Sequence, residues 1–357
     1  MKKPFPKNRR SDVPVAPAPT KPVPQQRDED VTPTKALTPL AILLLLATAT
    51  LLFAPLFGME FIPFSATGQE REILIGIRIP RVLCAFVAGS MLSLSGMSFQ
   101  ALFRNPLATP FTLGISSGAA LGAAVFIRMG LSFTLFGLSG TSLAAFGGAM
   151  LAVTLVYGLT RIKGGFTTTT LLLAGIAISF FFSSLILLIQ YISGLSHSFR
   201  IIQWMMGSLT TADYGKLVNL LPFFGGGIVL LLFLHREMNL LMVGEDIAIS
   251  RGVNVGLVKK LIFLAASLMV GGVVAVCGPI GFVGMMSPHI CRLLTGADHR
   301  FLTPASLLFG GLFLALCDTL ARTLIAPSEI PVGVITALLG GPFFIWLLLS
   351  RKNELDL

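Results

Sequence analysis

Residues 278–300 read GPIGFVGMMSPHICRLLTGADHR, and they contain four glycines, two prolines, two histidines and two arginines. The segments on either side of this stretch are long and apolar. Inside a bilayer, glycine and proline break helices and free backbone polar groups, which is tolerated where those groups face protein or a cavity. We therefore expect an irregular segment within a helical membrane bundle.

The composition of the chain agrees with that expectation. Of its 357 residues, 54% are hydrophobic and 12% are charged, whereas soluble domains carry about 25% charged residues. Apolar stretches of about 20 residues recur, which is long enough for a helix to cross a bilayer. A β-barrel is disfavoured because these stretches do not alternate polar and apolar residues. We predict an all-α polytopic membrane protein with about ten transmembrane helices, near residues 38–57, 82–103, 109–127, 138–160, 168–191, 217–235, 260–277, 279–295, 303–321 and 332–350.

The two ends of the chain differ from the bundle. Residues 1–38 are rich in proline and charge and have no apolar periodicity, so they predict a disordered cytoplasmic tail. Residues 39–351 form the predicted ten-helix transmembrane domain, and residues 352–357 form a short cytoplasmic C-terminus. The division between the seventh and eighth spans is left open, because the irregular stretch begins there.

The distribution of basic residues predicts the orientation. With both termini in the cytoplasm, 19 of the 26 lysines and arginines fall on the inner side. This excess follows the positive-inside rule for membrane proteins. The net charge of +10 therefore needs no nucleic-acid partner. We expect a multi-pass protein of a bacterial inner membrane, in contact with lipid.

Motifs for covalent chemistry are missing from the sequence. It contains no Walker A sequence, no HExxH and no GxSxG, so a nucleotide-binding or hydrolytic site is not expected. Cys84, Cys277, Cys291 and Cys317 fall within predicted spans without metal-ligand spacing, and we expect them to be small buried residues. We predict no catalytic residue, no metal site and no cofactor. Asp318 is expected to pair with an arginine four residues later on one helix face.

A short helix is predicted between the sixth and seventh spans, in the sequence GEDIAISRG at 244–252. Glu245 and Asp246 follow Gly244 in the first turn, where the helix dipole favours acidic side chains. Arg251 lies in the last turn and Gly252 provides a C-terminal stop. A two-turn helix is only marginally stable by itself. The helix therefore either lies along the membrane interface or packs against a partner.

Three arginines are expected on the outer side. Arg78 and Arg81 flank a proline in the sequence RIPR, and Arg322 falls at the outer end of the ninth span. One interpretation is that they anchor lipid headgroups. The other is that they form a docking site for acidic groups of an outside partner, through charge-assisted hydrogen bonds.

These segments together resemble the FecCD-type permease subunits of bacterial ABC importers for iron-siderophores, haem and cobalamin. The resemblance extends from about residue 40 to residue 350. It rests on RIPR at 78–81, GMSFQALFRNPLATPFTLGISSGA at 96–119, LLLAG at 171–175, WMMGSL at 204–209, GEDIAISRGVNV at 244–255, the opening stretch at 278–300, DTLAR at 318–322 and EIPVGVITALLGGPFFIWLL at 329–348. The MMSPH sequence at 285–289 departs from the aliphatic residue more usual before this Pro-His pair.

The resemblance implies an assembly and three groups of functional residues. Members form homodimers, or pairs of homologous permeases, with two cytoplasmic ATPase subunits and a periplasmic substrate-binding protein. It implies a coupling loop that packs into the ATPase at Gly244, Glu245, Asp246, Arg251 and Gly252. It implies that the binding protein docks on Arg78, Arg81 and Arg322. It implies a cytoplasmic gate at Asn105, Leu107, Thr168 and Thr169.

The expected function is translocation of an iron chelate (a siderophore or haem) or cobalamin into the cytoplasm, with ATP hydrolysed by a separate subunit. An ion-gradient-driven secondary transporter is the main alternative, although the sequence has no series of acidic residues at the membrane midplane. A membrane-embedded enzyme and a permease for bare zinc or manganese ions are further alternatives. The sequence does not distinguish among the cargoes.

Overall fold

Each of the ten predicted spans corresponds to a helix in the computed structural model, which describes residues 33–350 except 107, 136 and 163–166. The helices are α1 Pro33–Phe53, α2 Gln69–Ile73, α3 Ile79–Phe103, α4 Ile115–Met129, α5 Gly140–Ile162, α6 Thr168–Ile192, α7 Leu195–Met205, α8 Tyr214–Phe233, α9 His235–Val243, α10 Glu245–Ser250, α11 Val255–Cys277, α12 Val283–Thr295, α13 His299–Thr323 and α14 Val332–Ser350. A π-helical turn, Leu74–Arg78, joins α2 to α3.

Short irregular elements complete the chain. Two 3₁₀ turns, Ala54–Leu56 and Pro110–Leu113, follow α1 and precede α4. β1, Thr134–Leu135, pairs antiparallel with β2, Leu138–Ser139, in the connection before α5. Because α1 begins at Pro33, the helix extends into the segment assigned to the tail. The predictions for residues 1–32 and for the C-terminus at 352–357 lie outside the described residues.

The helices differ in their capacity to span a bilayer. Seven of the described helices are long and apolar enough to cross a membrane. The other three predicted spans are shorter, and correspond to α4, to the Val332–Leu347 part of α14, and to the 13-residue α12. At 1.5 Å per residue, α12 extends only about 20 Å, less than the roughly 30 Å of a bilayer core. Short helices of this kind need neighbouring protein rather than lipid around their ends.

The opening stretch explains why α12 is short. Gly278 ends α11 with a φ of +70°, and Phe282 has a φ of +67° immediately before α12. The residues between them are not helical, so the division between the seventh and eighth spans falls at 278–282. Ile280 within this break is fully buried. Gly278 is buried too, whereas the other three residues of the break are partly exposed beside cavities, which is where a membrane protein tolerates non-helical backbone.

Helix α3 forms the centre of the bundle. It packs against α8, α11, α12 and α13, and 89% of its most apolar window is buried. Small residues make this packing possible, because Gly89 faces the backbone of Gly310 on α13 and Gly96 faces the backbone of Gly284 on α12. All four cysteines are free and buried, as the sequence predicts.

The periphery of the bundle is apolar. Helices α1, α6 and α8 are buried over no more than 28% of their apolar windows, and they expose large side chains such as Leu45 and Phe180. This distribution is the one expected of helices that face lipid. Charged clusters lie instead at the two ends of α3, around Arg81 and Arg104.

Candidate functional site: two charged clusters at opposite ends of α3

Helix α3 carries a charged cluster at each end. Arg81 lies in its first turn, and Arg104 is the residue that caps its C-terminus. The 23 residues that separate them correspond to about 35 Å of helix, roughly the thickness of a bilayer core. The predicted outer docking site and the predicted coupling loop therefore stand at opposite ends of the bundle.

Arg81 binds two carboxylates within the chain. Its Nε and NH2 donate to Asp318 on α13 at 2.9–3.1 Å, and its NH1 donates to both carboxylate oxygens of Glu329 at 2.9 and 3.0 Å. The Asp318 side chain is fully buried, whereas that of Glu329 is 37% exposed. A buried carboxylate requires a charged, hydrogen-bonded partner, and Arg81 supplies it.

Arg322 forms the ion pair with Asp318 that the sequence predicts within α13. This pair is weaker than the one between Asp318 and Arg81. Nε of Arg322 lies 3.9 Å from Oδ2 of Asp318, further than the atoms of Arg81. Its NH2 donates to the Ala54 carbonyl at 2.9 Å and to Oγ1 of Thr319 at 3.1 Å. Arg322 thus ties the end of α13 to the turn that follows α1.

Arg78 is held by backbone carbonyls. Its NH1 donates to the Leu56 carbonyl at 3.0 Å and its NH2 to the Glu60 carbonyl at 2.8 Å. A side chain at Gly58 would collide with this guanidinium, so Arg78 would have to shift to admit one. Arg78 fixes the connection between α1 and α2 at the same end of the bundle as Arg81 and Arg322.

The structure brings the three predicted docking arginines together. They line one cavity of about 430 Å³ with Glu60, Glu70 and Glu329. All three arginine side chains are buried, so an external group reaches them only through this cavity. The cavity is rich in charge of both signs. Docking of a binding protein at these arginines remains a prediction.

The coupling loop forms an elbow of two helices. Gly244 caps the C-terminus of α9, and its extended backbone turns the chain. Helix α10 begins at the next residue, Glu245. Ala248 packs inward, while Ile247 and Ile249 are 45% and 59% exposed. The two isoleucines flank Ala248, so each presents an exposed apolar side chain beside a cluster of charged residues at this end of the bundle.

The C-terminal end of the elbow is closed as the sequence predicts. Gly252 has a φ of +83°, and the Val253 amide donates to the Ala248 carbonyl at 3.0 Å. This pattern is a glycine-dependent helix stop. Asn254 then caps α11, because its Oδ1 accepts the Leu257 amide at 3.1 Å. A short connection therefore joins the elbow to α11.

The acidic residues of α10 differ in their contacts. Oε2 of Glu245 lies 2.6 Å from Nζ of Lys259 on α11, and its Oε1 lies 3.7 Å from NH2 of Arg104. Asp246 is exposed and forms no ion pair within the described ranges. Of two adjacent acids in one sequence motif, only Glu245 therefore contacts the bundle.

The predicted gate residues lie in two segments. Asn105 directly follows the α3 cap, and its carbonyl accepts the Ala108 amide at 3.1 Å. Thr168 and Thr169 occupy the first turn of α6, which the Thr167 side chain caps. The 3₁₀ turn that follows Asn105 packs against α6 around Gly175, further along the helix than the two threonines. Leu107 lies outside the described residues, and the gate remains a prediction.

A polar junction ties the elbow to α13. The Asn239 side chain on α9 donates to Oδ1 of Asp298 at 2.7 Å, and its Oδ1 accepts the His299 amide at 2.9 Å. Nδ1 of His299 lies 2.7 Å from the same oxygen. Asp298 in turn caps α13. One asparagine therefore links α9 to the start of α13.

Sequence reasoning missed three participants in these clusters, namely Arg104, Lys259 and Glu329. The sequence identifies Arg104 and Lys259 only as basic residues on the inner side, and Glu329 only as part of a motif. Each forms its ion pair with a residue on another element: Glu329 pairs with Arg81 across 248 positions, and Lys259 pairs with Glu245 on the preceding helix. No local pattern indicates such a pair.

Comparison with known proteins identifies the family of this architecture. The family model described as the FecCD transport family matches residues 37–350. The hemin transport system permease protein HmuU of Yersinia pestis is 42% identical over 284 residues, which cover 79% of this chain and 85% of that protein. The vitamin B12 import system permease protein BtuC of Klebsiella pneumoniae is 39% identical over 323 residues, covering 87% and 93%.

A solved structure gives the same result for the fold. A metal-chelate type ABC transporter in an inward-facing conformation superimposes with a TM-score of 0.79 and 34% sequence identity, covering 88% of this chain and 99% of that chain. The arrangement of helices around α3 is therefore one that a solved transporter shares.

Proposed function

Since this chain belongs to the FecCD transport family, we propose that it carries a metal chelate or cobalamin through the membrane as one half of a paired permease. The chain is a multi-pass membrane protein and a permease subunit of an ABC importer. Permeases of this family contain no ATPase of their own. The proposal concerns the assembly, the orientation, the sites and the cargo.

The observation that carries the proposal is the exposed elbow of α9 and α10. It presents Ile247 and Ile249 on the same end of the bundle as Arg104, beyond the cap of α3. A two-turn helix with an exposed apolar surface is stabilised by a partner that covers it. We assign that surface to the cytoplasmic ATPase, with one ATPase subunit for each copy of the permease.

The outer end of the bundle supports docking of a binding protein. The cavity that contains Arg78, Arg81 and Arg322 lies at the opposite end of α3 from the elbow. Carboxylates of a periplasmic partner would enter this cavity and bind the guanidinium groups. This assignment places the elbow, both termini and the gate in the cytoplasm, and the arginine cavity on the outside of the inner membrane.

The gate is assigned to the segment after α3 and to the first turn of α6. Asn105 follows a residue that the elbow contacts directly, because Arg104 pairs with Glu245. Movement of the elbow would therefore act on the backbone beside Asn105 first. In this proposal Leu107, Thr168 and Thr169 complete the constriction.

The cargo is proposed from the relatives. HmuU is a hemin transport permease, BtuC is a vitamin B12 import permease, and FhuG of Bacillus subtilis is an iron(3+)-hydroxamate import permease. All of these cargoes are large, and two of them are iron chelates. An iron chelate, either a siderophore complex or haem, is the leading cargo, with cobalamin as the second candidate.

Uptake by sealed proteoliposomes tests the function. The complex with its ATPase and binding protein should accumulate one of three probes, namely a ferric hydroxamate chelate, haemin or cyanocobalamin. Uptake should require ATP and should persist when an uncoupler collapses the proton gradient. Uptake that continues without ATP but stops with the uncoupler would establish the secondary transporter instead.

A further inference from the structure

Glu245 is the first residue of the coupling helix, and its carboxylate contacts the bundle. Its two carboxylate oxygens face Lys259 on α11, at 2.6 Å, and Arg104 at the end of α3, at 3.7 Å. The side chain is 35% exposed, so it is partly enclosed by the bundle. The contacts of Glu245 therefore lie between the elbow and the bundle.

Lys259 depends on this contact. Its side chain is only 6% exposed, and Glu245 is its ion-pair partner among the described residues. An ammonium group buried without an opposite charge is strongly destabilised. The Lys259 pair therefore keeps the first residue of α10 in a fixed position against α11.

Arg104 connects the same carboxylate to the predicted gate. It ends α3 in the left-handed conformation, with a φ of +47°, which is uncommon for a residue other than glycine. Asn105 comes next, and its amide donates to the Gln100 carbonyl at 3.2 Å. The side chain of Arg104 thus contacts the elbow at the point where the backbone leaves α3.

We propose that Glu245 is a positioning residue that transmits movement of the coupling helix to the turn at Arg104 and Asn105. This inference rests on the proposed function, because it requires an ATPase that moves α10. The ATPase contacts Ile247 and Ile249, and Glu245 passes the displacement to the end of α3 through Arg104. Lys259 keeps α10 aligned with α11 during that displacement.

The substitution Glu245→Gln tests the link, and Asp246→Asn is its matched control. Both changes remove one negative charge from the first turn of α10, but only the first removes contacts to Arg104 and Lys259. The full complex in proteoliposomes is assayed for ATPase binding, for ATP hydrolysis, and for transport of whichever probe the unaltered complex takes up.

We expect the probe transported per ATP to fall about 10-fold in Glu245→Gln, within the usual range of allosteric coupling. Because this change also leaves Lys259 buried without its ion-pair partner, the ratio is measured on complexes that still hold the ATPase. Asp246→Asn should leave that ratio unchanged, so that any effect falls on ATPase affinity. An unchanged ratio in Glu245→Gln, or equal losses of hydrolysis and transport, would overturn the inference.

Arg104→Gln provides a second variant, because it leaves the Glu245–Lys259 pair intact and its side chain is 46% exposed. It should lower the ratio in the same direction, and the double variant should fall no further than Glu245→Gln alone. Additive losses would contradict the proposed link. Failure of the unaltered complex to use ATP would instead remove the proposed function and leave the ion pairs as structural contacts.

Discussion

Arg81 on α3 and Asp318 on α13 form a bidentate ion pair inside the bundle, although 237 positions separate them in the chain. Nε of Arg81 lies 3.0 Å from Oδ2 and NH2 lies 2.9 Å from Oδ1. The same guanidinium also binds Glu329 through NH1. One arginine therefore fixes the adjoining ends of two packed helices and the segment that leads into α14.

Replacement of Asp318 by asparagine should destabilise the bundle. Arg81 and Arg322 would remain buried with their shared charge partner removed, and loss of one member of a buried pair costs about 3–5 kcal/mol. Thermal unfolding in detergent measures the effect. Glu329→Gln is the control, since its side chain is 37% exposed and the free-energy loss should be much smaller. Equal losses in the two variants would contradict the structural role of Asp318.

The Arg81–Glu329 contact predicts an effect on docking. If the arginine cavity receives carboxylates of the binding protein, Glu329 competes with them for NH1 of Arg81. Glu329→Gln should therefore tighten binding of the loaded binding protein by about 5-fold, or roughly 1 kcal/mol. Titration of the labelled binding protein onto the reconstituted permease measures this affinity. Weaker binding would show that Glu329 itself helps to bind the partner.

The contact between α3 and α12 predicts a strict requirement for glycine at position 96. A methyl group there would overlap the Gly284 carbonyl, which is backbone and cannot rotate away. Gly96→Ala should cost about 1–3 kcal/mol or more through overpacking. Thermal unfolding in detergent is again the measurement.

Gly158 on α5 provides the matched comparison for this substitution. A methyl group at that position meets nothing within 4 Å, so Gly158→Ala should be neutral or stabilising by up to about 1 kcal/mol through helix propensity. Similar unfolding temperatures for the two alanine variants would refute the close contact.

The exposed isoleucines of α10 predict where the ATPase binds. Ile249→Asp places a charge on the apolar surface, 59% exposed, without disturbing Ala248 beneath it. Affinity for the ATPase should fall at least about 10-fold, or about 1.4 kcal/mol. Ile249→Leu should retain binding, because it preserves the apolar character of the surface.

Co-purification followed by a quantitative binding titration gives the affinities of both variants. Unchanged affinity in Ile249→Asp would exclude this surface as the ATPase contact. The thermal stability of Ile249→Asp should match that of the unaltered chain, since the side chain is exposed to solvent and lies outside the core.

The junction between Asn239 and His299 predicts a modest loss of stability. Asn239→Ala would leave the His299 amide and ring nitrogen without the oxygen that they share, inside a buried site. Loss of a buried hydrogen-bond partner costs about 1–3 kcal/mol. Asn254→Ala, which removes an exposed cap of α11, should cost about 1 kcal/mol. Thermal unfolding of the two variants compares them, and a larger loss for Asn254→Ala would contradict the order.

The sequence by itself determined the ten helical segments, the short coupling helix and the irregular character of the stretch at 278–300, whereas the structure placed the break at 278–282. These features depend on apolar length, on caps and on glycines such as Gly252, all of which act within about 20 residues. The family resemblance also followed from sequence, since it rests on motifs. Local chemistry sufficed in each case because the bilayer requires every backbone polar group to be satisfied nearby.

Only the tertiary structure decided which charges meet. The sequence predicted that Asp318 pairs with Arg322, and the fold gave its closest contacts to Arg81 instead. The fold likewise brings Glu245 into contact with Arg104 and Lys259, whereas its neighbour Asp246 is exposed to solvent. A charge inside a low-dielectric bundle takes the partner that helix packing brings within hydrogen-bond distance, and that packing is set by close contacts such as Gly96 against Gly284.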